Sequence, residues 1–128
     1  MTKPASAAAQ ASDRQRVLSQ AVAEAARRLE LGSTDLKSVI GTSQPTASRV
    51  LHGKAFIREA SKEWELAAHF VRLYRSLSSM VGGNDELARS WLKSPNRAFD
   101  GKLPLAAIKR IDGLLYACEY LDAYRARV

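Results

Sequence analysis

Two clusters of polar side chains carry the chemistry this sequence can offer. The first is Ser43, Gln44, Pro45, Thr46, Ser48 and Arg49. Gln can donate to and accept from the edge of an adenine, Arg can reach a guanine or a phosphate, and the Thr methyl can touch the methyl of thymine. The second cluster is Lys93, Asn96, Arg97, Asp100 and Lys102, set among the turn formers Pro95, Gly101 and Pro104 and the apolar Trp91 and Phe99. It reads as a rigid corner of mixed charge, in which Trp91, Phe99, Gly101 and Pro104 fix the shape and the polar residues between them make contacts.

Other chemistries find no footing. The sequence has no glycine-rich phosphate loop, no Cys/His spacing for a metal and no nucleophile elbow, so neither an enzyme nor a cofactor or metal site is expected. His52 and His69 stand apart without a catalytic partner, one as a surface residue and one as a partly packed one. Cys118, the single cysteine, lies in an apolar stripe that would bury it and raise its thiol pKa. Twenty Lys and Arg against thirteen Asp and Glu give a net charge of +7 over 128 residues, which favours polyanions or acidic proteins as partners. No secretory leader or apolar run of membrane length is visible, and the expected compartment is the cytoplasm.

The elements that must position these clusters are helices, since alternating strand patterns are missing. Residues 1–12 are small and polar and read as a disordered tail. From Asp13, a candidate N-cap, Val17, Leu18, Ala21, Val22, Ala25 and Leu29 recur at helical spacing, and Gly32 is expected to end that helix. Ser33 or Thr34 can cap a second, short helix carrying Leu36, Val39 and Ile40 and stopping at Gly41. Ser43 can cap a third, Gln44 to His52, with Pro45 in its first turn and Gly53 closing it. In this third helix Ala47, Val50 and Leu51 share a side that can pack on Leu36, Val39 and Ile40, which turns the first polar cluster outward. Two short helices joined by such a turn outline a helix-turn-helix, and operator DNA is the partner it implies.

A longer helix, Ser61 to Val81, follows. Its band of Trp64, Ala67, Val71, Tyr74, Leu77 and Val81, widened by Phe70, Leu73 and Met80, is broader than one partner helix needs, and a homodimer through this region is expected. Gly82-Gly83-Asn84 forms a turn, Asp85 can cap a helix from Glu86 to Lys93, and the corner leads into a last helix from Leu105 to Arg125. There Ile108, Ile111, Leu115 and Cys118 form the inward stripe, with Leu114 and Leu121 beside it. Gly113 marks a close helix contact, and Arg125 and Arg127 oppose the helix dipole.

With both halves read, the sequence resembles the Xre/MbcA/ParS-type antitoxins, partners of RES-domain toxins. Gly41, Ser43, Gln44 and Ser48-Arg49-Val50-Leu51 resemble the Xre-type helix-turn-helix. Trp91-Leu92, Pro95-Asn96, Phe99, Gly101, Pro104 and Gly113 carry the carboxy-terminal signature. Thr42 replaces the usual apolar turn residue, Phe99 stands where leucine is common, and the chain lacks the glycine-containing ending of relatives. The resemblance implies an all-α fold with a helix-turn-helix domain at 13–60 and a helical dimerisation and toxin-binding domain at 61–128. It implies a type II antitoxin that neutralises a cognate RES toxin, one that consumes NAD or transfers its ADP-ribosyl group, by covering its active site. It also implies repression of the antitoxin's own operon. Ser43, Gln44, Pro45, Thr46, Ser48 and Arg49 then become DNA-binding residues. Lys93, Asn96, Arg97, Asp100 and Lys102 become toxin-binding residues, with Asp100 or the chain's terminal carboxylate as candidates to enter a basic toxin pocket. The alternative is a free-standing helix-turn-helix regulator whose carboxy-terminal half dimerises or senses a ligand.

Overall fold

A computed structural model describes residues 5–126 and is all-α: α1 (Ala5–Arg28), α2 (Ser33–Ile40), α3 (Gln44–Leu51), α4 (Lys62–Met80), α5 (Asp85–Leu92), α6 (Pro104–Ala107) and α7 (Ile111–Ala126). A 3-10 turn, Arg97–Phe99, lies between α5 and α6, and an isolated bridge pairs Asn96 with Lys102. No strand occurs among the described residues.

The N-terminal stretch differs from the expected tail. Residues 5–12 are the first turns of α1, and residues 1–4 lie outside the described residues. Small side chains do argue against burial, but alanine needs no burial to favour a helix, so the alanine-rich run extends α1 backwards. Asp13 is accordingly an interior helical residue paired with Arg16 at 3.1 Å, and not a cap. At the other end α1 stops at Arg28, ahead of Gly32, because Glu30 takes a left-handed conformation with φ 56°.

Helix starts and stops follow local chemistry, with two exchanges of role. Gly32, and not Ser33 or Thr34, occupies the N-cap of α2 without a side-chain cap. The two hydroxyls are engaged instead by Gln44, whose Nε2 donates to Ser33 Oγ and Thr34 Oγ1 at 3.3 Å each. Asn84, and not Asp85, caps α5, accepting from the Leu87 N–H at 3.0 Å, while the Asp85 carboxylate pairs with Arg28 at 3.2 Å. Gly41 ends α2 with φ 71°, a conformation that L side chains adopt at a cost.

Helix α4 is central, packed against α1 and α2 and also against α7. That accounts for its wide apolar band: Ala67, Phe70, Val71, Leu73 and Leu77 are buried within one chain, and Trp64, Tyr74, Met80 and Val81 are packed at the edge of the same core. Both halves of the chain contribute to this core, from Val22 and Leu29 to Leu114 and Leu121. Between α4 and α7 the fully buried Ser76 donates its Oγ–H to Asp122 at 2.7 Å. Arg125 donates to the Ser76 hydroxyl oxygen at 3.0 Å and Arg72 Nε to Asp122 at 2.9 Å. Further links join α1 and α2 to the later helices: Arg89 Nη1 donates to the Arg28 carbonyl at 2.9 Å, and Lys109 pairs with Asp35 at 2.8 Å.

The expected last helix is two helices. Ile108, Lys109 and Arg110 form a break between α6 and α7, and the chain doubles so tightly that a Cβ on Gly113 would stand 1.9 Å from the Ala107 carbonyl oxygen. No side chain fits there, so Gly113 does mark a close contact, one made with α6. The break also resets the helical phase. Ile108, Leu114, Cys118 and Leu121 are fully or almost fully buried, but Ile111 and Leu115, placed inward by an unbroken helix, stand 61% and 39% exposed.

Candidate functional site

The first cluster is assembled by α2, the turn at Gly41 and α3. Leu36, Val39 and Ile40 on α2 and Ala47 and Val50 on α3 are buried together, which fixes the outward side of α3. Ser43 caps α3, its Oγ accepting from the Thr46 N–H at 3.2 Å and donating to Thr46 Oγ1 at 3.0 Å. Ser43, Gln44, Pro45 and Arg49 are exposed, whereas Thr46 and Ser48 are half-buried. Arg49 Nη2 donates to Thr46 Oγ1 at 3.3 Å, so the guanidinium lies back along the helix toward its N-terminal end. That terminus sets a positive dipole end beside Gln44 and Arg49, although Pro45 has no N–H and the Thr46 and Ala47 N–H groups are taken by Ser43, so any phosphate or base edge there is met mainly by side chains.

His52 follows α3 and is spoken for, with Nδ1 2.7 Å from the Ser48 carbonyl oxygen, which requires the proton on Nδ1. Phe56, Arg58 and Ser61, from the connector to α4, line one depression with Thr42 and Thr46. Arg58 is exposed there, a basic side chain that the sequence reading passed over because the connector lacks helical periodicity. Thr42 is half-buried in the turn, its N–H donating to the Lys37 carbonyl at 3.0 Å, so the turn accommodates a polar residue.

The second cluster is held by aromatic packing. Phe99 is buried and meets Trp91 edge-on at 5.6 Å, Tyr116 at 5.2 Å and Tyr120 at 5.8 Å between ring centroids. Tyr116 also donates its hydroxyl to the Ala98 carbonyl at 2.7 Å, tying α7 to the 3-10 turn. Asn96 closes the loop: its Oδ1 accepts from the Ala98 N–H at 2.9 Å, its carbonyl accepts from Phe99 and Gly101, and its N–H donates to Lys102. With every one of those groups engaged and the side chain half-buried, Asn96 belongs with Trp91, Phe99, Gly101 and Pro104 as a shape-fixing residue. Arg97, Asp100 and Lys102 are exposed, and Asp100 sits at the tip with φ 57°. Lys93 is exposed as well but points its Nζ to the Glu30 carbonyl at 3.4 Å, on the side facing α1.

A shallow depression beside this tip is lined by Phe99, Asp100, Lys102, Arg110, Asp112 and Tyr116 among others. It brings the start of α7 next to the loop through Asp112, Gly113 and the exposed Tyr116; Ile111 and Leu115 are further exposed apolar groups at this end of α7 that do not line the depression itself. Exposed large side chains of this kind beside a mixed-charge rim are the composition of a protein contact surface. The sequence reading missed Ile111 and Leu115 because it ran one helical phase through the break. The signal that could have exposed the error is Asp112-Gly113, a turn pair read as helix interior; Asp112 Oδ1 accepts from the Gly113 N–H at 2.9 Å. Arg127 and the terminal carboxylate lie outside the described residues.

Cys118 is buried between α7 and α4, its Sγ 3.3 Å from the His69 carbonyl, and burial pushes the thiol up to about 11. It stays protonated at neutral pH and is a small core residue. No helix of the described residues is long and apolar enough to cross a membrane.

Comparison with known families matches both halves. A model of the antitoxin Xre-like helix-turn-helix domain matches residues 8–72, and a model of the antitoxin Xre/MbcA/ParS C-terminal toxin-binding domain matches residues 76–127. The first match ends and the second begins inside α4, with residues 73–75 between them. No curated protein matches the chain. Neither of the two matched domains is an enzymatic family.

Proposed function

The chain belongs to the Xre/MbcA/ParS antitoxins, with a helix-turn-helix domain and a toxin-binding domain, and from that premise we propose the following function. It is a cytoplasmic type II antitoxin that neutralises a cognate RES-domain toxin by covering its active site, whether that toxin consumes NAD or transfers ADP-ribose to a protein. It also binds its own operator as a homodimer and represses the operon. The observation that carries this reading is the pairing, on one frame, of two separate exposed surfaces. One is the polar start of α3, and the other is the loop tip at Asp100 with the exposed first turns of α7.

On the DNA surface, Ser43, Gln44, Pro45, Thr46, Ser48 and Arg49 approach the major groove, with Gln44 and Arg49 as the base or phosphate readers. Gln44 must release Ser33 and Thr34 to bond a base, and Arg49 must leave Thr46; all three bonds are exposed and long, so the exchange costs little. On the toxin surface, Arg97, Asp100 and Lys102 supply charge complementarity. Ile111, Leu115 and Tyr116 supply buried apolar area, and Lys93 and Asn96 hold the loop in place.

The test is co-expression with the neighbouring gene product, scored for growth rescue, restored cellular NAD and a stable complex. Arg49→Ala should weaken operator binding roughly tenfold or more while neutralisation persists. Asp100→Lys should impair the toxin complex and leave operator affinity unchanged. Unchanged operator binding by the first variant rejects the DNA assignment, and unchanged co-purification by the second rejects the loop. Growth arrest that persists with both partners folded and present rejects the antitoxin reading in favour of a plain regulator.

A further inference from the structure

A further depression, lined by neither polar cluster, lies between α1 and α4. Its floor is apolar, formed by Val17, Leu18, Ala21, Trp64, Ala68 and Val71, and Val17 stands 58% exposed in it. Asp13, Arg14, Arg72 and Arg75 edge this trough. Arg72 and Arg75 also line the adjoining cleft between α4 and α7, together with Asp122 and Arg125, so the two depressions form one continuous surface.

The charges of that surface do not cancel. Arg14 is paired with Glu59 at 2.8 Å, Asp13 with Arg16 at 3.1 Å, and Arg72 with Asp122. Among the described residues Arg75 has no ion-pair partner, and Arg125 donates to a neutral hydroxyl, that of Ser76, while lying near the Asp122 carboxylate that Arg72 already holds. Among the described residues this leaves two guanidinium groups without a bonded carboxylate, Arg75 at the end of the apolar trough and Arg125 in the adjoining cleft. Arginine there suits carboxylates, which it binds through two parallel N–H groups. A second copy of the chain brought onto this trough by a two-fold axis would set like charges near like charges, which disfavours that occupant.

We propose that the α1/α4 trough docks an acidic amphipathic helical segment of a partner protein. The segment's apolar side covers Val17, Trp64 and Val71, and its carboxylates meet Arg75 and Arg125. This surface lies largely within the part of the chain matched as a helix-turn-helix domain, so the inference stands independently of how the toxin is held. Occupancy would let the DNA-binding half report to another protein while the tip at Asp100 remains free.

The probe is a fluorescein-labelled amphipathic peptide with leucines on one face and glutamates on the other, titrated into the full chain by fluorescence anisotropy. A lysine-for-glutamate version is the control. The acidic peptide should bind about tenfold or more tighter than the basic one, the difference should shrink in high salt, and the Trp64 indole N–H resonance should shift while that of Trp91 does not. Arg75→Glu should erase most of the preference. Arg75→Ala, a milder change at an exposed side chain, should reduce it about threefold. Val17→Glu should weaken binding through the floor. Equal affinity for both peptides, or a shift at Trp91 in place of Trp64, overturns the proposal. So does a dimer of the free protein, seen by sedimentation, that Val17→Glu dissociates.

Discussion

The segment from Ser33 to Gly53 and the segment from Trp91 to Tyr116 both hold polar side chains rigid, but they do so by different means. In the first, the turn is set locally. Gly41 stops α2, Ser43 starts α3, and the buried side chains of the two short helices meet each other, while α1 and α4 back the pair from the core. In the second, the constraint comes from three places along the chain: Trp91 from α5, Phe99 from the 3-10 turn, and Tyr116 and Tyr120 from α7 close one aromatic cluster. A surface built locally can be re-tuned residue by residue. One built by distant side chains fails as a unit when its centre is removed.

Phe99→Ala therefore has the largest expected effect. It deletes the ring at the centre of that cluster and should cost about 3–5 kcal/mol, read by chemical denaturation, with loss of the toxin complex. Operator affinity, measured at low temperature where the chain is still folded, should survive. If it falls in parallel with toxin binding, the two regions form a single cooperative unit and the contrast drawn between them is wrong.

Gly113→Ala comes next. The added methyl would overlap the Ala107 carbonyl oxygen, a backbone atom that cannot swing aside, so α6 or α7 must shift. A loss of about 1–3 kcal/mol is expected, with weakened toxin binding because the Ile111–Tyr116 turn moves relative to the loop. An unchanged melting temperature would show that the break between α6 and α7 is soft, and would remove the reason for treating Ile111 and Leu115 as positioned residues.

The same contrast explains what could be read from the sequence. The helix-turn-helix was legible almost to the residue because caps and αL glycines act over three or four positions. The shape-fixing set at the corner was legible by type: Trp91, Phe99, Gly101 and Pro104 are where a structured loop needs them. Asn96 was assigned to contact because a lone amide looks the same in sequence whether it faces a partner or its own backbone. Ile111 and Leu115 were placed inward because helical periodicity has no memory of a break unless proline announces it. Ala5 to Ser12 read as a tail because the criterion applied was burial, and alanine forms helix without it.

Ser43→Ala probes the local side of the comparison at lower cost. Removing the cap bond to the Thr46 N–H should destabilise the start of α3 by about 1 kcal/mol. Operator binding should weaken by a comparable factor while the toxin complex is untouched, as shown by parallel titrations. A loss on both sides would mean that fraying of α3 spreads through the shared core.

The smallest effect concerns the joint between α4 and α7. Asp122 is held below the usual carboxylate range by the Ser76 hydroxyl it accepts from and by Arg72, against an opposing effect of burial. A carboxylate whose folded pKa is depressed adds stability above its unfolded value, and that stability is lost as pH falls through the folded value. Asp122→Asn should thus lower stability by about 0.5–1 kcal/mol near neutral pH, modest because the ion pair is partly solvated. The gap between wild type and variant should stay constant down to about pH 5, begin to narrow near the ordinary carboxylate value of about 4, and close only below the depressed folded value of Asp122, where that side chain is neutral as well. If acid leaves the gap open, the link between α4 and α7 resides in the packing of Leu73, Leu77 and Leu121, and the polar network sets only the register of the two helices.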